Sequence, residues 1–408
     1  MDHGREAYAT SAPDPTASAG RRMTIRSPSD AGSRGPRKRS TPAGLDDAKA
    51  VSDALEAWFS AAARDLPWRS RRSGWHALVS ELMLQQTQVA RVVDAFERFT
   101  ARFPDAAALA AAPEAEVLAL WQGLGYYRRA RLLQAAARAI CERHGGEVPT
   151  SAEDLRALPG VGRYTAGAIA SIAFGAREPI VDGNVLRVLS RLAAKQTRAG
   201  DPSDERWAWE QATRVVEAAR SPAATNEALM ELGATVCTPA SPRCASCPLS
   251  ARCVASAAGT AGSIPAPRKA AARRTLHWHA LVDCGTDGVL LERRPDRGLW
   301  AGMLQPPTVE SDSPLGADEL SARWGVPIRE AGAFTHVTSH RTVEFRVFTA
   351  AEGHAASIDG AARVALDRLG EVPLSNAAWR TFECAGLPVR TPPSASPGRA
   401  ARSARSGS

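Results

Sequence analysis

The stretch "LPGVGRYTAGAI", residues 158–169, places a proline and two glycines, Gly160 and Gly162, at a tight turn and then runs into an apolar helical pattern. Glycine lets a backbone pass close to another group, and the unpaired N–H groups at a helix start attract an anion such as a phosphate. A bare GVG reads equally well as an ordinary connection between two helices. Two other segments narrow the choice. "PIVDGNV" (179–185) sets one acid, Asp182, at the head of an amphipathic helix pattern, and "SELMLQQTQV" (80–89) sets another, Glu81, between Ser80 and Leu82.

Working outward, residues 46–254 show helical spacing of apolar positions with no strong strand alternation. "DDAKAVSDALEAWFSAAARD" is an amphipathic helix that ends near Leu66–Pro67. "HALVSELMLQQTQVARVVDAFERFTARF" follows as a helical run to Pro104, and "SAEDLRALPGVG" opens with Ser151 as an expected N-cap. Residues 255–275 are rich in Gly, Ala, Pro and basic residues and read as a linker. Beyond them "TLHWHALVDCGTDGVLLERRP" reads as two strands around a GTDG turn, "HRTVEFRVFTA" as a further strand, and "GADELSARWG" and "LSNAAWRTFECAG" as helices. The expected organisation is a mostly α domain over 46–254 and a small α+β domain over 276–390. Tails of 1–45 and 391–408 flank them and are read as disordered.

A chain of 408 residues with 44% hydrophobic content can fill two sizeable cores. It has no run of eighteen apolar residues and no charged-then-apolar start, so neither a membrane span nor export is expected, and the cytoplasm is the expected compartment. The net charge is +8. The N-terminal tail contributes four and the C-terminal tail three of those charges, which leaves the body nearly neutral. Basic tails attract polyanions without reading sequence, and equally serve as solvated tails.

Four of the seven cysteines, Cys237, Cys244, Cys247 and Cys253, fall within 17 residues. Four thiolates in one short loop hold zinc tetrahedrally or a [4Fe–4S] cube. Zinc sites usually show two paired knuckles and only one CxxC occurs here, which tilts the spacing toward iron–sulfur. Two carboxylates in different surroundings can divide acid–base work, one holding a proton and the other staying ionised. Taken alone, Glu81 reads also as a surface acid, and Asp182 as a plain N-cap.

The run from Trp68 to Cys253 resembles the helix-hairpin-helix DNA glycosylase superfamily and, within it, the MutY-type adenine DNA glycosylases. The residues that carry the resemblance are "LPWR" (66–69), "SELMLQQTQV", "WQGLGYYRRAR" (121–131), "LPGVGRYTAG", "PIVDGNV", "NEALMELGATVCT" (226–238) and the cysteine quartet. The resemblance implies that Glu81 protonates the adenine at N7. It implies that Asp182 stabilises the oxocarbenium-like sugar, and that Asn184 positions Asp182 and the water. Tyr164 stands where strand-cleaving relatives of the endonuclease III type carry a lysine. A phenol forms no imine, so a monofunctional glycosylase that leaves an abasic site is expected. Gln86 matches the wedge residue, with Thr87 beside it, and Tyr126 matches the aromatic inserted next to the opposing oxidised guanine, with Leu124 beside it. Gly160 and Gly162 would contact the DNA backbone, and Trp68, Arg69 and Glu227 match the adenine pocket. The implied metal group is [4Fe–4S] on the four cysteines, with Arg243 and Arg252 near the DNA backbone.

"GVLLERRPDRGLWAGMLQPP" resembles a Nudix-like domain, but no downstream REUxEE string follows, so recognition rather than hydrolysis is expected of it. Where the family reads H-x-F-S-H, this chain reads "HVTSH" (336–340). Ser339 and His340 keep their places for 8-oxoguanine, and Thr338 replaces the phenylalanine. The expected partner is double-stranded DNA with adenine opposite 8-oxoguanine or guanine, bound by a monomer. Three other readings are a thymine or uracil mismatch glycosylase, a non-catalytic iron–sulfur DNA-binding protein and a strand-cleaving lyase. Residues 276–390, the paired acids and Tyr164 speak against them in turn.

Overall fold

The computed structural model describes residues 45–267, 273–338 and 340–389. The expectations for the two tails and for Ser339 lie outside those residues. The helical part runs Ala48–Ala62 (α1), Pro67–Ser70 (α2), Gly74–Leu84 (α3), Val89–Arg102 (α4) and Ala106–Ala111 (α5). It continues with Glu114–Leu120 (α6), Arg128–His144 (α7), Ala152–Arg156 (α8), Arg163–Phe174 (α9) and Gly183–Leu192 (α10), then Pro202–Glu217 (α11), Pro222–Thr235 (α12) and Val254–Ala257 (α13). Local chemistry sets many of the starts: Ser73, Asp105, Ser151, Asp182, Asp201 and Ser221 each cap a helix with a side-chain oxygen.

Two apolar clusters organise these helices. One gathers Trp75, Leu78, Phe96, Phe99, Leu133 and Ile169 from α3, α4, α7 and α9, with Trp121 from the end of α6. The other gathers Leu55, Leu189, Val215, Leu229 and Leu232 from α1, α10, α11 and α12. The run expected as one helix from His76 to Phe103 is broken after Leu84, because Gln86 takes a left-handed φ of 55° that no helix accommodates. The expected linker is also partly folded. Ala255, Ala261 and Ile264 bury together against the helical body, and Arg191 donates to the Ile264 carbonyl at 2.7 Å.

The second part has strands Arg274–Val282 (β1), Cys284–Gly285 (β2), Gly288–Arg293 (β3), Leu304–Gln305 (β4), Thr308–Ser311 (β5), Ile328–Val337 (β6), Arg341–Ala350 (β7) and Ala361–Val364 (β8). Helices Ala317–Trp324 (α14) and Asn376–Cys384 (α15) accompany them. One sheet has the order β5-β1-β7-β6, with β1 parallel to β7; the other has β2-β3-β4, and β8 also pairs β3. The GTDG turn therefore joins β2 to β3, not β1 to β3, and β1 pairs across the chain with β7. This part meets the helical part at α6 and α7. Gln122 donates to the Val372 carbonyl at 2.6 Å, the Tyr127 hydroxyl to the Leu374 carbonyl at 3.3 Å, and Arg131 to the Ala301 carbonyl at 2.8 Å. Among the described residues no helix is long and apolar enough to cross a membrane.

Phe99 lies edge-on to Phe103 at 4.9 Å and to Trp121 at 5.8 Å, with no exposed surface. Phe99→Ala is expected to cost about 3–5 kcal/mol in urea unfolding followed by helical circular dichroism. Val337→Ala, at a residue that is 56% exposed, should stay within about 0.5 kcal/mol.

Candidate active site

A cavity of about 490 Å³ opens where the two apolar clusters meet. Glu81 from α3, Tyr164 from α9, Asp182 and Asn184 at the head of α10, and Glu227 from α12 all line it, together with Trp68, Arg69, Gln86 and Thr87. Residues separated by up to 159 positions thus share one space. Close approach of helices makes this possible. A methyl group on Gly233 of α12 would stand 2.5 Å from Asn184 Cβ, so only glycine lets α12 lie against the head of α10.

The two acids differ in their surroundings. Glu81 is buried in α3 among apolar neighbours. Burial pushes its carboxyl up to about 7, a shift opposed by a hydrogen bond from Tyr164 and reinforced by the negative charges of Asp182 and Glu227. The Tyr164 hydroxyl is itself held well above its ordinary value by burial and by Glu81 and Asp182, so it stays a neutral donor. It also reaches Met230 Sδ at 3.3 Å. Asp182 is half-buried and fully engaged. Its Oδ1 accepts from the Val185 N–H at 2.7 Å as the N-cap of α10, and its Oδ2 accepts from Asn184 Nδ2 at 2.8 Å. Negative charge is favoured at a helix start. Arg187 extends this chain: it donates to Asn184 Oδ1 at 2.8 Å, to the Gly233 carbonyl at 2.9 Å and to the Cys237 carbonyl at 2.8 Å.

The pocket wall carries an ion-pair ladder. Arg69 donates to Glu227 at 3.0 Å and to Glu231 at 3.0 Å, Arg64 grips Glu231 at 2.6 Å, and Arg72 reaches Glu227 at 2.7 Å. Burial alone would raise the Glu231 carboxyl, but the two arginines outweigh it and hold it below the ordinary range. Trp68 packs edge-on against Phe96 at 5.5 Å.

The other residues singled out from the sequence stand apart from the cavity. Tyr126 is 46% exposed on its turn, whereas Tyr127 is core. Leu124 is also buried in the core and offers no side chain at the surface. Its carbonyl accepts from Thr87 Oγ1 at 3.3 Å, which ties this turn to the residue after Gln86. Gly160 adopts φ 79°, as the turn between α8 and α9 requires, and Gly162 begins α9 with no side-chain cap. His340 is exposed at the β6–β7 turn, and Thr338 spends its hydroxyl on that turn by bonding the Arg341 backbone at 3.0 Å.

All four cysteines of the quartet are free thiols around one small cavity, with Arg191 at its wall. Arg191 donates to Cys237 Sγ at 3.3 Å, and the Cys253 thiol donates to the Arg191 carbonyl at 3.4 Å. Burial, with the neighbouring sulfurs adding to it, pushes Cys247 up to about 11 and raises Cys253. Among the described residues no group of three or more His, Cys, Asp or Glu side chains is spaced to hold a metal ion. Sequence reading missed Arg64, Arg72 and Glu231, because their pairing partners lie on distant helices.

The comparisons agree with this geometry. Residues 79–211 carry the pattern of an HhH-GPD superfamily base excision DNA repair protein, and residues 277–383 that of a NUDIX domain. Fold and site together define a base-excision DNA glycosylase, a hydrolase of N-glycosyl bonds. The chain belongs to the adenine DNA glycosylases. It is 36% identical over 406 residues to the Rattus norvegicus adenine DNA glycosylase, covering 83% of this chain and 78% of that one. It is 44% identical over 275 residues to that of Mycolicibacterium smegmatis, covering 66% and 84%, and 38% identical over 367 residues to that of Homo sapiens, covering 73% and 66%.

The raised Glu81 carboxyl makes stability depend on pH. Between the ordinary value of 4.5 and about 7, the folded chain keeps a proton that the unfolded chain has lost. Stability should therefore be fullest below 4.5 and decline until pH passes 7. Glu81→Gln removes this term. The variant should be more stable than wild type at pH 8, by up to about 3 kcal/mol, with the gap closing toward pH 4.5. Parallel pH profiles of unfolding for the two proteins would contradict the assignment.

Proposed function

We propose that the chain hydrolyses the N-glycosidic bond of adenine mispaired with 8-oxoguanine or guanine in double-stranded DNA, leaving an abasic site and an uncut strand. The observation that carries this reading is the pair of unlike acids on one cavity: Glu81, which can hold a proton near neutral pH, and Asp182, held at a helix start by two N–H donors. The adenine must leave the stack to reach them. Glu81 then gives its proton to the departing base, the positive charge that grows on the sugar is met by Asp182, oriented by Asn184, and water adds to the sugar carbon and gives its proton back to the Glu81 carboxylate. Trp68, Arg69 and Glu227 form the wall against which the base rests. Arg69 is bound to two carboxylates, so it shapes that wall instead of contacting the base as a free charge.

No lysine is among the described residues that line the cavity, and Tyr164, where the resemblance implies a lysine in strand-cleaving relatives, lines it. A buried phenol has no route to an imine, which supports base removal without strand cleavage. Gln86 and Tyr126 are the residues that enter the duplex, the uncapped start of α9 behind Gly160 and Gly162 receives a backbone phosphate, and the sequence segment 336–340, with Ser339 and His340, meets the opposing oxidised guanine. Every group invoked comes from one copy of the chain, which fits a monomer.

The four cysteines fit a [4Fe–4S] cluster. The donor set is purely sulfur, all four thiols face one cavity, and a sulfide-bridged cube spaces its thiolates more widely than a single ion does. Cys237, Cys244, Cys247 and Cys253 would hold it; when bound it supplies a rigid, charge-bearing anchor for the 237–253 loop. That loop carries Arg243 and Arg252 toward the DNA backbone, and Arg187 joins the Cys237 carbonyl to Asn184.

The test is incubation with a duplex holding adenine opposite 8-oxoguanine, read with and without hot alkali. The strand should break only after alkali. Glu81→Gln should slow base release by about 10²- to 10⁴-fold, Asp182→Asn should abolish it, and the wild-type rate should fall as pH rises through about 7. Strand breaks without alkali that borohydride traps on the protein would refute the monofunctional reading. Excision of uracil from a uracil:guanine duplex, with adenine untouched, would refute the substrate.

A further inference from the structure

Arg129, the second residue of α7, lies outside the cavity, yet its guanidinium joins three separate segments. Its Nη1 donates to the carbonyls of Leu82 at 2.7 Å and Met83 at 2.8 Å, at the C-terminal end of the helix that carries Glu81. Its Nη2 donates to Thr87 Oγ1 at 3.0 Å and to the carbonyls of Leu124 at 3.0 Å and Gly125 at 3.1 Å. The guanidinium also stands 5.5 Å from the centre of the Trp121 ring and 5.6 Å from that of Tyr126.

All five acceptors are neutral. Burying a cation against neutral groups is expensive, and a site that needed only packing would be filled better by an apolar side chain. Burial pulls the group down to about 10, which leaves it charged at neutral pH. What holds the charge there is the negative end of α3 and the aromatic faces. Both turns it ties are strained: Gln86 has φ 55° and Tyr126 has φ 48°, two of the four such non-glycine residues among those described, in a region that they occupy only when their surroundings impose it.

We propose that Arg129 is the positioning residue that locks the Gln86 and Tyr126 turns to each other and to the Glu81 helix, so that entry into the duplex and protonation of the extruded base share one rigid frame. Opposite-base preference then depends on a guanidinium that touches neither base. This rests on the reading of Gln86 and Tyr126 as the residues that enter DNA. A lysine cannot replace the planar fork, because one ammonium with three donors does not reach five acceptors in three segments.

The experiment uses the full chain and two readouts. One is the fluorescence of 2-aminopurine in place of adenine opposite 8-oxoguanine, which rises as the base unstacks. The other is the single-turnover rate on adenine opposite 8-oxoguanine or guanine. Arg129→Lys should reduce the unstacking response and slow excision opposite 8-oxoguanine by about 10- to 100-fold, more than opposite guanine. The pH at which the rate halves should remain that of Glu81. Combined with Tyr126→Ala, the losses should be far less than additive, since both act through one turn. If Arg129→Lys fails to fold, Thr87→Val, which keeps the guanidinium and removes one of its acceptors, should shift the same two readouts by about 3- to 10-fold. A folded Arg129→Lys, or failing that a Thr87→Val, with the wild-type unstacking response and opposite-base preference overturns the proposal, as do fully additive losses. A defective Tyr126→Ala beside an intact Arg129→Lys overturns this proposal alone. A Tyr126→Ala protein identical to wild type removes the entry reading itself and this proposal with it.

Discussion

A carboxyl group buried beside two other acids holds its proton up to about pH 7, and the rest of this molecule is arranged around that constraint. Glu81 sits in α3 with apolar neighbours on its own helix and faces Asp182 and Glu227 across the cavity. Left uncompensated, three acids on one apolar cavity would drive the helices apart. Each is dealt with differently. Glu81 stays protonated near neutral pH, Asp182 is satisfied by backbone and amide N–H groups, and Glu227 is clamped by Arg69 and Arg72. Division of acid–base labour is thus a consequence of how each acid is solvated by protein.

The helices place these groups by approaching closely where side chains are small. Gly233 admits the head of α10 against α12, and the turn at Gly160 returns the chain so that α9 brings Tyr164 over Glu81. The cysteine loop closes the same lobe from behind. Arg187 and Arg191 both bind carbonyls of that loop, so the loop and the start of α10 are mechanically one piece. In the second part of the chain the carbonyls of Ala301, Val372 and Leu374 accept from Arg131, Gln122 and Tyr127, on either side of the Tyr126 turn.

Much of this was legible in the sequence because it is local. Ser151 and Asp182 as caps, the glycine turn before α9 and the crowding of four cysteines all follow from neighbouring residues. Acids set in apolar company also flagged Glu81. What was not legible depends on distant partners. Apolar spacing runs on past Leu84, so the left-handed Gln86 that splits α3 from α4 leaves no mark in the pattern. That Leu124, two residues from an exposed tyrosine, packs into the core is visible only once the helices are assembled. The pairing of β1 with β7 spans more than sixty positions and cannot be seen from alternation. Nothing in the run Arg128–Arg131 marks Arg129 out, since its five acceptors belong to two turns and another helix.

The central claim is that Glu81 carries a proton at neutral pH because of where it is buried. Carbon-13 NMR of glutamate carboxyls, titrated in the full chain and assigned by loss of the signal in Glu81→Gln, measures this directly. One resonance that titrates near pH 7, and that is missing from the variant, is the predicted result. A Glu81 resonance that titrates with the surface glutamates in the ordinary carboxylate range would contradict it.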